Sequence, residues 1–159
     1  MMKHRVGLSL LAGLGVFLVA CGSDDSSGSP CGPDQVECES SCIPAPDGSL
    51  GWVQAEVFDT YGCASSAACH NGTNPLPAVG FNLSNESESF ASLVNVESVQ
   101  DAPKLRVAPN DVNGSYLINK LTGVGLAPGT QLMPLGAPMP ICDAAIDGVR
   151  DWINDGANP

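Results

Sequence analysis

The chain has 159 residues, of which 14% are charged, 5% are aromatic, 18 are Gly and 13 are Pro, so a large, regular, helix-packed core is excluded and a compact, loop-rich domain is expected. A net charge of -11 excludes recognition of a phosphate backbone, which draws its affinity from Lys and Arg, and no nucleic-acid partner is expected. Seven cysteines in so short a chain point to disulfides or cofactor attachment in an oxidising compartment.

Met1 to Arg5 is a short basic stretch, and Val6 to Ala20 is apolar but short for a membrane span. The run ends in Leu18-Val19-Ala20-Cys21, which resembles a bacterial lipobox. That resemblance implies a signal peptide over residues 1–20, cleavage before Cys21 and a diacylglycerol on its thiol. It places the protein in the cell envelope as a lipid-anchored lipoprotein, and Gly22 after the anchor points to the outer membrane. The mature chain then carries 17 acids against four bases, a net charge of -13. It keeps one histidine, His70, and two methionines, Met133 and Met139.

Residues 21–30 read as a flexible, acidic tether. Residues 31–46 form a Cys-rich segment with Cys31, Cys38 and Cys42 and too little apolar content to fold unaided, so structural disulfides are expected among these three and Cys142. Residues 47–159 form the domain proper. Leu50, Val53, Val57 and Tyr61 recur at helical spacing and predict a helix over Leu50 to Tyr61. Gly62 to Pro77 is a loop. Glu86 to Val96 predicts a short helix, Lys104 to Pro109 an extended piece, and Ser115 to Leu121 a helix stopped by Gly123. Gly125 to Pro140 is a Gly/Pro-rich loop holding both methionines. Cys142 to Asn154 predicts the last helix, with Ile146, Val149, Trp152 and Ile153 as its apolar stripe. Trp52 and Trp152 are expected to pack between the first and last helices. Short helices around long loops suit a domain whose core is a cofactor.

Cys69-His70, preceded by Cys63, is the sharpest chemical signal. Two thiols beside a histidine suit covalent haem attachment, in which the thiols add to vinyl groups and the imidazole binds iron. The usual motif is Cys-x-x-Cys-His, whereas five residues separate the two cysteines here. A separation of six positions turns the second thiol about 240° around a helix from the first, so the pair requires a loop. Three readings fit these residues alone: a haem site, a Cys63–Cys69 disulfide, and a zinc site recruiting thiols from the Cys31 to Cys42 segment. No carboxylate pair, nucleophile elbow or phosphate-cradling loop is present, so no enzyme activity is expected.

The order of motifs adds to this reading. Cys63…Cys69-His70 is followed by Phe81-Asn82-Leu83-Ser84, Val107-Ala108-Pro109-Asn110-Asp111, Ser115 to Gly123 with Lys120-Leu121, Met133-Pro134, and Trp152-Ile153 with Gly156-Ala157. Over roughly Gly51 to Ala157 this resembles the secreted bacterial cytochrome c-like domain family, with Asn110 standing where the family has Gly. The resemblance implies a mostly α, cytochrome c-like small domain of several short helices and long loops, with a disulfide-stapled N-terminal extension. It implies one covalent haem c per chain, attached through Cys63 and Cys69, with His70 and Met133 as axial ligands to the iron; Met139-Pro140 is a rival for the distal place. Cys142 stands where the family carries the N-cap Ser of the last helix, a candidate for stapling the N-terminal segment to that helix, and the resemblance also implies electron transfer with a redox partner protein in the periplasm or membrane. A haem-free, disulfide-stabilised lipoprotein of the same frame, acting as an envelope interaction or structural module, is the other expectation.

Overall fold

The computed structural model describes residues 30–76 and 78–159. The predicted signal peptide, the Cys21 anchor and all but the last residue of the tether lie outside the described residues. A two-stranded antiparallel sheet comes first, β1 (Gln35–Cys38) and β2 (Ser41–Pro44), with Gln35 opposite Pro44 and Cys38 opposite Ser41. α1 (Leu50–Val53) runs directly into a π-helix (Gln54–Asp59). α2 (Glu86–Leu93), α3 (Tyr116–Thr122) and α4 (Asp143–Asn154) follow, separated by long loops.

The mostly α, cytochrome c-like fold expected from the motif order is corrected by these elements. Only 29% of the described residues are helical, and the N-terminal extension is a β-hairpin, so the domain is a small α/β mix. Two disulfides explain how a polar segment holds a sheet. Cys31–Cys42 closes the hairpin on itself, and Cys38–Cys142 bonds its turn to the start of α4. The Trp52 indole N–H adds a third tie, donating to the Pro44 carbonyl at 3.1 Å.

Local chemistry accounts for the helix boundaries. The Ser49 side chain caps α1 by accepting from the Trp52 amide, and the Asn85 side chain caps α2 by accepting from the Glu88 amide. The predicted helix over Glu86 to Val96 stops at Leu93, because Val94 turns extended, and Val94 and Glu97 bridge to Val107 and Leu105. The Arg106 amide donates to the Val96 carbonyl at 2.7 Å and the Asn95 amide to the Val107 carbonyl at 3.0 Å. Branched Val side chains favour that extended backbone. α3 ends on Gly123, which takes φ +74 where a side chain would be strained. Asn110 sits at φ +61, a conformation asparagine tolerates.

Among the described residues the core is built from apolar side chains. Val53, Val57, Phe58, Val107, Val149, Trp152 and Ile153 are almost wholly buried, drawn from α1, the π-helix, the 107 loop and α4. Trp52 lies over Gly148 of α4, where a Cβ would overlap its ring. Gln54, buried at the end of α1, donates to the Leu83 carbonyl at 3.0 Å and accepts from the Ser89 hydroxyl at 2.7 Å, locking α2 to the first helix.

Two changes test this packing. Gly148→Ala is expected to lower unfolding free energy by about 1–3 kcal/mol through overpacking against Trp52, read by urea denaturation; an unchanged midpoint would contradict the close approach. Replacing Cys38 and Cys142 together by Ser opens a link across a sequence separation of 104 residues and is expected to cost about 2–4 kcal/mol. A melting temperature equal to that of the parent would show that the hairpin contributes nothing through α4.

Candidate functional site

The site grows out of the end of the π-helix. The Cys63 amide donates to the Phe58 carbonyl at 2.8 Å, and Gly62, at φ +65, turns the chain out of the helix. Residues 63–70 form a closed loop: the His70 amide donates back to the Cys63 carbonyl at 2.8 Å. The loop is then tied to the 81–83 segment, since the Leu83 amide donates to the His70 carbonyl at 2.7 Å and the Gly72 amide to the Phe81 carbonyl at 3.2 Å. The predicted Cys63 to Cys69 spacing therefore sits on a loop, the only backbone on which two thiols so spaced share an edge.

The His70 ring is held on two sides. Its Nδ1 lies 3.1 Å from the Val79 carbonyl oxygen. A carbonyl only accepts, so Nδ1 carries the proton and Nε2 keeps its lone pair. The ring also stacks on Phe81 at 4.0 Å between centroids and 19° between planes. Burial pushes the imidazolium below its ordinary range, and the Lys120 and Arg106 charges act in the same direction against the Val79 bond. A neutral ring with a fixed Nδ1–H and an available Nε2 is the form that binds a metal.

The four predicted site residues come together. An inner cavity of about 70 Å³ is walled by Phe58, Phe81, Leu83, Leu93 and Leu121 among others, and an outer one of about 250 Å³ is walled by Cys69, Val79 and Leu135 among others. Cys63, His70 and Met133 line both, so they form the partition between the two spaces. Cys69 faces the outer space alone. Met133 is held there by its amide, which donates to the Lys120 carbonyl at 2.8 Å. Met139, the rival ligand, is 64% exposed and lines neither cavity.

The cysteines separate into two kinds. Cys31, Cys38, Cys42 and Cys142 are bonded in pairs, which removes the thiols the zinc reading needed. Among the described residues, no group of three or more His, Cys, Asp or Glu could hold a metal ion. Cys63 and Cys69 are unpaired thiols. Burial pushes the Cys63 thiol up to about 11. Hydroxyls of Ser66 and Ser65 beside the Cys69 sulfur hold that thiol below its ordinary value.

The donor set fits a haem: an imidazole Nε2, a thioether and two unpaired thiols border adjoining spaces with mainly apolar walls. Sequence reasoning missed Phe81 as the ring's stacking partner, and Arg106 and Lys120 as cationic members of the inner wall. The scarcity of bases after residue 20, four against 17 acids, was the signal that could have drawn attention to both cations. Compared with protein-family models, curated proteins and solved structures, the chain matches none.

Alkylation separates the two thiols. At pH 8, iodoacetamide is expected to modify Cys69 roughly tenfold or more faster than Cys63, because the reactive species is the thiolate and Cys63 is the more enclosed. Peptide mass spectrometry over a time course reads the ratio; equal rates would contradict this environment for Cys63.

Proposed function

We propose that the protein is a lipid-anchored electron carrier of the bacterial cell envelope that holds one haem c per chain. Cys63 and Cys69 would hold it by thioether bonds, with His70 and Met133 as its axial ligands. The observation that supports this most is the shared partition: Cys63, His70 and Met133 are the residues common to both cavities. When bound, the haem supplies a one-electron iron couple, and His/Met ligation raises its potential.

The chain's own residues do the rest. Val79 and Phe81 set the tautomer and orientation of His70 before any metal arrives, which lowers the cost of ordering the ligand on binding. Phe58, Leu83, Leu93 and Leu121 keep water from the inner wall, and a dry surround also favours the less charged state of a redox centre. The Lys120 carbonyl accepts from the Met133 amide and so fixes the backbone that carries the Met133 side chain. Cys21 and the acidic tether would hold the domain near the membrane, where a redox partner in the periplasm or membrane can dock. No substrate chemistry is assigned to the chain itself.

A second reading is favoured by one measurement. Both cavities are smaller than the roughly 300–1,000 Å³ of sites that enclose ligands of drug size, so a haem requires the partition side chains to part. A domain that keeps this wall closed would act as a haem-free, disulfide-stabilised envelope module.

Variants distinguish the two. In protein matured with a cytochrome c assembly system, Met133→Ala is expected to abolish the weak far-red absorption of an iron–thioether bond while haem stays attached, and Met139→Ala to leave it unchanged. His70→Ala is expected to block assembly or leave a poorly ligated haem. Identical spectra for the parent and Met133→Ala would overturn the ligand assignment. Cys21→Ser is expected to move the protein from the membrane to the soluble fraction; continued membrane retention would overturn the lipid anchor.

A further inference from the structure

We propose that the face around the mouth of the outer cavity is a membrane-contact surface, on which the domain lies against a lipid bilayer of low charge. The inference rests on the lipid-anchor reading above and is independent of whether haem is bound.

Charge placement carries it. Two long stretches, residues 60–85 and 121–142, hold no Asp, Glu, Lys or Arg, in a chain with 17 acids and a net charge of -11. Every residue lining the outer cavity belongs to one of the two, Tyr61 to Val79 from the first and Met133 to Leu135 from the second. The fold thus joins two uncharged stretches, distant in sequence, around one opening. Acids stand elsewhere: Asp143, Asp147 and Asp151 follow the exposed side of α4, and Glu86 and Glu88 are exposed at the start of α2. Glu39 and Asp59, whose charges act on Tyr61 and Cys63, mark the edge of the face. A carboxylate pressed against lipid loses hydration at high cost, so this face approaches a bilayer far more readily than the acidic ones do.

Apolar exposure falls on the same stretches. They carry four of the five large apolar side chains that stand exposed among the described residues, Leu76, Val124, Leu135 and Met139, at 61% to 72% exposure. Leu135 lines the outer cavity. The Leu76 carbonyl accepts from the Val79 and Gly80 amides, closing the turn that carries Val79 to that cavity. Met139 follows Leu135 by four positions, just past the turn closed by the Ala137 amide on the Pro134 carbonyl. Val124 lies apart, beside Arg150, and is not assigned to the face. Clustered exposed apolar side chains mark a contact surface.

The attachment of the chain says what covers it. Cys21 stands nine positions before Pro30, a reach of at most about 30 Å. The hairpin that follows Pro30 is bonded to the start of α4 by Cys38–Cys142, and Cys142 is three positions from Met139. The tether therefore joins the domain beside the end of the second uncharged stretch. An acyl anchor keeps the bilayer at high effective concentration, so a few apolar side chains suffice to orient the domain, though not to retain it without the anchor. Cys69 and His70 then open towards lipid rather than bulk water.

The test compares the full lipidated chain, reconstituted on vesicles of phosphatidylcholine and phosphatidylethanolamine, with the Cys21→Ser chain mixed with the same vesicles. Backbone hydrogen exchange is followed by mass spectrometry. Peptides covering residues 72–80 and 131–140 are expected to exchange roughly fivefold or more slowly in the anchored chain, and those covering 97–103 at equal rates in both. Leu135→Asp combined with Met139→Asp alters two exposed side chains; this variant is expected to stay on the vesicles through its anchor and to exchange at the rate of the soluble chain. Val99→Asp, at the fifth exposed apolar side chain, is expected to change nothing. Equal rates at 131–140 in the anchored and soluble chains, or slowing that survives the double substitution, overturn the membrane contact and leave the anchor standing. A parent chain that does not sediment with the vesicles overturns the anchor and this inference together. Slowing that appears in the Cys21→Ser chain as its own concentration rises assigns the face to a second copy of the chain and overturns the lipid contact.

Discussion

The hydrogen bond from His70 Nδ1 to the Val79 carbonyl is the contact on which the rest of the site depends. It fixes the proton on one ring nitrogen and leaves the other as a lone pair, so it decides what the only histidine after residue 20 can do. The bond exists only because the backbone on either side is pinned. The His70 amide and carbonyl are engaged by Cys63 and Leu83, and the Val79 and Gly80 amides both donate to the Leu76 carbonyl. Gly80 is needed at this turn because a Cβ there would overlap the Asn74 carbonyl. A loop rich in small residues thus acquires rigidity from its hydrogen bonds rather than from apolar packing of its own.

That loop needs a firm base, and the base is distant in sequence. α4 buries Ile146, Val149, Trp152 and Ile153 in the core it shares with α1 and α3, and the π-helix, continuous with α1, delivers Cys63 to the site. The wider π turn lets the Cys63 amide reach the Phe58 carbonyl five residues back, continuing the helix pattern into the loop. Ser115 does similar work on the other side. Its hydroxyl accepts from the Ala108 amide and donates to the Asp111 carbonyl, holding the 107–111 turn against the start of α3, which carries Tyr116, Leu117, Lys120 and Leu121 to the cavity.

Much of this was legible in the sequence where periodicity and capping agreed. The apolar stripe of α4, the Gly123 stop of α3 and the helical character from Leu50 onward all follow from local spacing and turn chemistry. The hairpin was not legible, because its four-residue strands carry few β-formers and are defined by cross-links whose pairing is invisible along the chain. The mostly α fold failed for the same reason, and because long Gly/Pro-rich connections held in place by side-chain hydrogen bonds leave no periodic signal. At the site, His70 and Met133 were visible through scarcity. Phe81 and Arg106 were not, since their roles come from a stack between residues 11 and 25 positions apart, respectively, from the ring and from each other.

Haem attachment at Cys63 and Cys69 is the central claim, and it requires the partition of Cys63, His70 and Met133 to open around a bound ring. The most direct measurement is the visible spectrum and intact mass of the same preparation, matured with a full cytochrome c assembly system and then denatured to release any non-covalent group. The account predicts a Soret band that survives denaturation and a mass increased by one haem, with both thiols lost to alkylation. A protein with no Soret band, an unmodified mass and a Cys63–Cys69 disulfide would contradict it.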